Sequence, residues 1–522
     1  MKNLHRFIWI LVLVAICNVS CGKDDPEPSN NNNNDNDKEE PSLLVSQYLV
    51  YDGMAMYYLW NEQMLHREPT EADTDPKRYF RTLLDPIDRR NDWSWITDDV
   101  DALFRNFAGG ESARVFEGSQ LLPLWHPTLN QHIAVVRYVY PNSPVAEAGI
   151  RRGEIIREIN SGPITDSSWR LLFETTAQTT LTVYDQNFQN RRPVVITPRN
   201  FAANSVLYSR VDSIGDIVIG YLFYTAFRSN FNNYLYQAFY QFKQAGVTDL
   251  VLDLRYNPGG GLDAAVYLAS MIAPRAAVEN QEILTKINYN QFVNAVFDNQ
   301  GVERAWRLGT FNDSLFQNPL NVNLDLDRVY IITTQTSASA SELVIFGLRP
   351  FMDVVHIGQN TSGKYTVSWT VHAFDNFFVG EGANRIARAQ RVHNPDRFTS
   401  AQREELRNWA MQPIVGTYTD RDGRDFVAAG TLSPNHFISP NYQLNAPHTY
   451  KPIGNRHDFM FAKAISLITG QPLPEVARNV SGHQFVNAGL RSPQEEQLRR
   501  AVNVDNVEID PEMLREMLRS LR

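Results

Sequence analysis

The chain has 522 residues, 43% of them hydrophobic and 20% charged, enough apolar material for about three domains with cores of their own. Its net charge of -9 leaves no electrostatic case for nucleic-acid binding, which needs clustered Lys and Arg. The two cysteines, Cys17 and Cys21, both stand at the extreme N-terminus, so the body of the protein has no disulfide, no thiolate metal site and no cysteine nucleophile.

Lys2 and Arg6 precede an apolar stretch from Phe7 to Cys17, and Asn18-Val19-Ser20 leads to Cys21. A charged start, an apolar segment too short to span a bilayer comfortably and a cleavage site predict a signal peptide over 1–20. The cysteine directly after that site resembles the lipobox of bacterial lipoproteins, with Asn18 where the motif prefers Leu. The resemblance implies acylation of Cys21 and a lipid anchor in the cell envelope, at the outer membrane. Residues 21–41, with the run Asn30 to Asn34, cannot bury enough apolar surface to fold and are predicted to be a tether. Asp24 and Asp25 beside the cysteine resemble the surface-export signal of Bacteroidetes lipoproteins; an ordinary solvated linker has the same composition.

Residues 42–104 are predicted to form a small helical domain. Leu49, Met56, Leu59 and Trp60 recur at helical spacing along one apolar face, and Tyr79, Phe80, Leu83 and Leu84 make a second helix. Residues 105–200 change character: Ile133 to Val139 and Ile155 to Ile159 read as strands, with a short helix, Val145 to Ala148, stopped by Gly149. The stretch Ser143-Pro144-Val145-Ala146-Glu147-Ala148-Gly149-Ile150-Arg151-Arg152-Gly153-Glu154-Ile155-Ile156 resembles the core of a PDZ domain. That implies a sheet edge on which an extended peptide adds as a strand. Gly118, Ser119 and Leu121, within Glu117-Gly118-Ser119-Gln120-Leu121, are the candidates for its carboxylate-binding loop, and a module that only packs or regulates is the alternative.

From 201 to 485 strands and helices alternate. Asp216 to Phe223, Asp249 to Leu254, Val329 to Thr333 and Val354 to Gly358 are predicted strands; Phe231 to Gly246, Asp263 to Ile272 and Ser341 to Leu348 are predicted helices. This rhythm predicts an α/β domain with largely parallel pairing. Residues 486–522 are predicted to be a helical tail.

Three motifs in that domain carry chemistry. Val251-Leu252-Asp253-Leu254-Arg255-Tyr256-Asn257-Pro258-Gly259-Gly260-Gly261 runs from a buried strand into a turn whose glycines allow close approach by a substrate carbonyl. Thr336-Ser337-Ala338-Ser339-Ala340-Ser341-Glu342 places small residues at a helix N-terminus, where free amides stabilise negative charge. Ser339 to Glu342 equally satisfies the Ser-x-x-Glu capping box, a purely structural role. Gly358-Gln359-Asn360-Thr361-Ser362-Gly363-Lys364 matches most of a phosphate-binding loop, but Tyr365 stands where Ser or Thr is required and the following residues alternate like a strand.

Together the motifs resemble the carboxyl-terminal processing peptidases of the S41 serine peptidase family. The resemblance implies an α/β catalytic domain of the ClpP/crotonase-like kind, preceded or interrupted by the β-rich PDZ module, and an extracytoplasmic endopeptidase acting on polypeptides without cofactor or metal. It assigns Ser339 as nucleophile and Lys364 as general base, Ala340 with Gly259 or Gly260 as oxyanion donors, and supporting roles to Glu342 and Thr361. A serine hydroxyl needs a base to take its proton, and a lysine serves only when burial lowers its pKa. Ser368 occupies the place where many members carry a lysine-orienting Gln, and Pro350 a place where some carry Asp, so the third catalytic member stays open. The competing reading is an idle S41 fold that binds peptides.

Overall fold

In the computed structural model, which describes residues 42–107, 118–309, 317–379, 386–426, 430–438, 450–473, 486–487, 490 and 509–520, the alternating segments build a six-stranded sheet. Its order is His436–Phe437, Asp353–Gly358, Arg328–Thr333, Asp249–Asp253, Ile217–Tyr224 and Val206–Ile214. Every pairing is parallel except the last, a hairpin. The predicted strands of this sheet agree with the observed ones to within a residue at each end, because continuous apolar runs bounded by turns leave little freedom in register.

Period-two alternation assigns the two faces. Leu222, Tyr224, Leu250, Leu252, Val329 and Ile331 point into one core, which also takes up the helices Asn232–Gln244, Leu262–Ile272 and Ala340–Leu348. Tyr221, Phe223, Val251, Tyr330 and Ile332 point the other way, onto the helix Phe459–Thr469 and onto Tyr138 and Tyr140 of the β-rich module.

A second sheet, wholly antiparallel, follows the order Ala305–Arg307, Ile283–Tyr289, Ile414–Asp420 and Thr366–Ser368. Its last strand begins two residues after Lys364. The alternation read in Thr366 to Val371 thus begins as a strand, over Thr366–Ser368, and not as the helix a phosphate loop must open.

The helical N-terminal segment differs from its expected form. A turn of π-helix, Ser46–Tyr51, runs into the α-helix Asp52–Tyr57, and Leu49, Val50, Tyr51, Met54, Ala55, Met56 and Tyr57 are all buried. The helix is enclosed on all sides instead of presenting one apolar face. These residues share the core of the parallel sheet, and the strand Trp95–Thr97 pairs with Ala410–Gln412 far downstream. The segment is thus built into the α/β region.

The β-rich module has a separate core. Antiparallel strands follow the order Val486–Asn487, Ser119–His126, Gln131–Val139, Ile155–Ile159, Thr179–Tyr184 and Arg192–Ile196. The helix Asp166–Glu174 covers one face, burying Trp169, Leu172 and Phe173 against Leu121, Val136, Ile156 and Leu181. The edge strand Val486–Asn487 comes from the region predicted to be a helical tail; farther along, Pro511–Ser520 is helical. Among the described residues no helix is long and apolar enough to cross a membrane.

Candidate active site

The second and third motifs meet at one carboxylate. Glu342, fully buried in the first turn of Ala340–Leu348, accepts the Ser339 N–H on Oε2 at 2.8 Å and the Lys364 N–H on the same oxygen at 2.9 Å. Its Oε1 accepts the Gly363 N–H at 2.7 Å, and the Thr361 hydroxyl donates to it as well. The capping box read from spacing is present, and the same carboxylate gathers the loop that ends in Lys364. Burial pushes the Glu342 carboxyl up to about 7, against the hydrogen bonds from Thr361, Gly363, Ser339 and Lys364.

The three serines of the loop are distinguished by their partners. Ser337 Oγ donates to Leu254 O at 2.7 Å and Ser341 Oγ to Asn257 O at 2.8 Å, and both residues are 0% exposed whereas Ser339 is 9% exposed. Ser339 also carries φ 55° and ψ -115°, a strained conformation for a residue with a Cβ that costs about 1–3 kcal/mol. Bonds of the two preceding residues hold it there: Ala338 N–H donates to Asn257 O at 3.2 Å, and Ser362 N–H to Ser337 O at 2.9 Å.

The glycine turn packs directly on the serine. A Cβ at Gly259, where φ is +107°, would lie 2.8 Å from both Ala338 O and Ser339 Cβ, so only glycine permits this approach. The Gly259 N–H, however, donates to Asn257 Oδ1 at 2.9 Å. Of the two glycine amides expected as oxyanion donors, Gly259's is already engaged, and Gly260's donates to no acceptor among the described residues. Ala340, first residue of its helix, has its N–H outside the intrahelical ladder.

Lys364 is 2% exposed. Burial lowers its ammonium to about 8, and the charges of Asp88 and then Glu342 act against that fall. Tyr418 Oη donates to the carbonyls of Lys364 and Ser339, at 3.2 and 3.4 Å, joining the two motifs a second time. Ser368 sits buried within its strand opposite Ile414.

Behind the glycine turn lies an ion chain that sequence reasoning missed. Arg255 Nε donates to both oxygens of Asp253 at 2.9 Å, and Arg255 also pairs with Asp458 at 2.8 Å. Asp458 meets Arg152 of the β-rich module at 3.5 Å, and Tyr221 Oη donates to Asp253 at 2.6 Å. Asp253 and Arg255 stand within the first motif, so a buried charge pair beside the glycines was the available signal; Asp458 and Arg152 carried none. Asp88, which acts on Lys364, was missed too.

The candidate peptide-binding residues fall elsewhere than expected. Ser119 and Leu121 belong to the strand Ser119–His126, with Leu121 in the module's core; Gly118 precedes it and its carbonyl accepts Tyr140 N–H at 2.8 Å. Alternating pairing with Gln131–Val139 extends the strand through the stretch expected to be a loop. Glu117, Cys21, the signal peptide and the tether lie outside the described residues.

Residues 218–429 match the model of peptidase family S41 and residues 47–95 that of the peptidase S41 N-terminal domain. A probable CtpA-like serine protease of Staphylococcus aureus is 27% identical over 233 residues, 44% of this chain and 41% of that protein. A carboxyl-terminal-processing protease of Picosynechococcus is 25% identical over 244 residues, 45% of this chain and 52% of that protein. The chain thus spans about half the length of the curated relatives it matches. Its fold is similar to that of a putative S41 protease from Bacteroides fragilis, with a TM-score of 0.56 and 22% identity over 81% of this chain and 97% of the other. Two family models matching in chain order, over the segments that carry Asp88 and the Ser339–Lys364 site, place the chain in the S41 peptidase family.

Proposed function

We propose that the protein is a serine endopeptidase of the carboxyl-terminal processing type, with Ser339 as nucleophile and Lys364 as general base. The observation that carries this reading is the Glu342 carboxylate, which ties the backbone of the strained serine to the backbone of a buried lysine. With a pKa of about 8, about a tenth of that lysine is neutral at pH 7, against well under one in a thousand for an ordinary lysine.

In the proposed cycle, neutral Lys364 Nζ takes the Ser339 Oγ proton as the oxygen attacks a peptide carbonyl carbon. The resulting oxyanion is met by the N–H groups of Ala340 and Gly260, each such donor contributing about 3 kcal/mol in the transition state. As the C–N bond breaks, the Lys364 ammonium returns its proton to the leaving amine. Water, deprotonated by the same lysine, then attacks the ester and frees Ser339 and a carboxylic acid.

The reading extends to the site of action. Cys21 behind a signal peptide supports a lipid-anchored enzyme of the cell envelope, at the outer membrane, and the PDZ-like sequence at 143–156 supports delivery of polypeptide ends to the site. The test is cleavage of an unfolded protein by the mature chain, Ser339→Ala and Lys364→Ala, with labelling by a fluorophosphonate alongside. Cleavage and labelling by the parent alone are expected; equal cleavage by Ser339→Ala, or undiminished labelling of Lys364→Ala, overturns the reading.

A further inference from the structure

A lysine that acts as base must also be aimed, and Glu342 is poorly placed for that task because its oxygens are committed to three backbone N–H groups and the Thr361 hydroxyl. Ser368 is buried within a strand pair, opposite Ile414. The other carboxylate acting on Lys364 is Asp88. It lies in the helix Pro86–Asn91 of the N-terminal segment and is 0% exposed.

Asp88 is itself firmly fixed. Its Oδ1 accepts the Ser94 N–H at 2.8 Å; its Oδ2 accepts Ser94 Oγ at 2.6 Å and Tyr58 Oη at 2.9 Å. The cluster is fastened to the strand pair that follows the lysine. Ser94 Oγ accepts the Ile414 N–H at 2.8 Å, Leu59 N–H donates to Ile414 O at 2.8 Å, and Ile414 lies opposite Ser368. The Trp93 ring meets Tyr365, the residue after Lys364, edge-on at 5.3 Å. Three donors satisfy this carboxylate structurally, yet a fully buried anion also needs a counter-charge. The cation acting on it is Lys364.

We propose that Asp88 is the positioning residue of the Ser339–Lys364 pair, an anion supplied by the N-terminal segment that aims Lys364 Nζ at the serine. This rests on the dyad assigned above.

Among the described residues, Asp88 and Glu342 are charged groups that act on Lys364, and Lys364 and Tyr58 are groups that act on Asp88. Because the Asp88 charge favours the ammonium, its removal lowers the lysine's pKa while loosening its aim. The experiment follows fluorophosphonate acylation of the full chain against pH. Labelling of the parent should rise through a midpoint near pH 8. Asp88→Asn should move that midpoint down by about one pH unit or more and reduce the high-pH plateau about tenfold or more. An unmoved midpoint, with or without a lower plateau, overturns the proposal, since a merely structural residue changes the plateau alone. Ser94→Ala keeps the charge but loosens the carboxylate; it should lower the plateau about threefold with the midpoint held, and unaltered kinetics also count against the role. If Asp88→Asn does not fold, Asp88→Ser, which also removes the charge, takes its place and is read by the same shift of the midpoint. A parent protein that is not labelled at Ser339 defeats the dyad itself, an outcome distinct from a labelled parent whose midpoint ignores residue 88.

Discussion

Around Ser339, two segments of the chain, at Ser339 and at Gly363-Lys364, are bound by backbone N–H groups to one buried carboxylate. The β-rich module meets the peptidase sheet differently, through aromatic rings at Tyr138 and Tyr140 and a chain of buried ions from Arg152 to Asp253. Backbone donors have no rotamers to lose, so the first arrangement fixes geometry closely. The second joins two hydrophobic cores through long side chains. The contrast teaches where precision is concentrated: at the serine it is built from main chain, and at the junction it depends on a few charges.

Three substitutions test that contrast in order of size. Glu342→Ala strands the N–H groups of Ser339, Gly363 and Lys364, and each buried donor left unmet costs about 1–3 kcal/mol. Denaturant unfolding should show a loss of about 3 kcal/mol or more, with serine labelling abolished; a stable, labelled variant breaks the account of the knot. Arg152→Ala removes one of two cations from Asp458 while Arg255 remains. A loss of about 2 kcal/mol is expected, and a loss as large as that at Glu342 would erase the distinction between the regions. Arg199→Ala breaks an exposed pair with Glu147 inside the module, and such pairs add little. Its thermal midpoint should match the parent's, and a clear drop would show that the module's surface matters more than its core.

What was legible in the sequence follows the same division. The strands of the parallel sheet were readable because their apolar runs stop at turns, and the motif serines because small residues precede a helix. The helix start was read one residue late, at Ser341, because Ala340 follows directly on the positive φ of Ser339. Burial brought about by distant segments was not legible. Asp88 stands beside Arg89 and Arg90 in a short polar helix, a pattern indistinguishable from a solvated surface turn. Its 0% exposure comes with partners at Tyr58 and Ser94 and, through Ser94, with the distant strand at Ile414. The enclosed helix Asp52–Tyr57 shows the same limit, since its apolar residues fill more than one face and periodicity alone cannot tell a core helix from an amphipathic one.

The short strand Val486–Asn487 lies on the outer edge of Ser119–His126, antiparallel to it, and Leu490 just beyond packs against the module's core. A strand belonging to the same chain is present at that edge at an effective concentration on the order of millimolar. Any extended segment arriving from another molecule therefore enters as a competitor and must bind the bare edge more tightly than that to displace it. The edge at Leu124 and Trp125 is therefore already occupied, and an extended segment would add there only by displacing the chain's own strand.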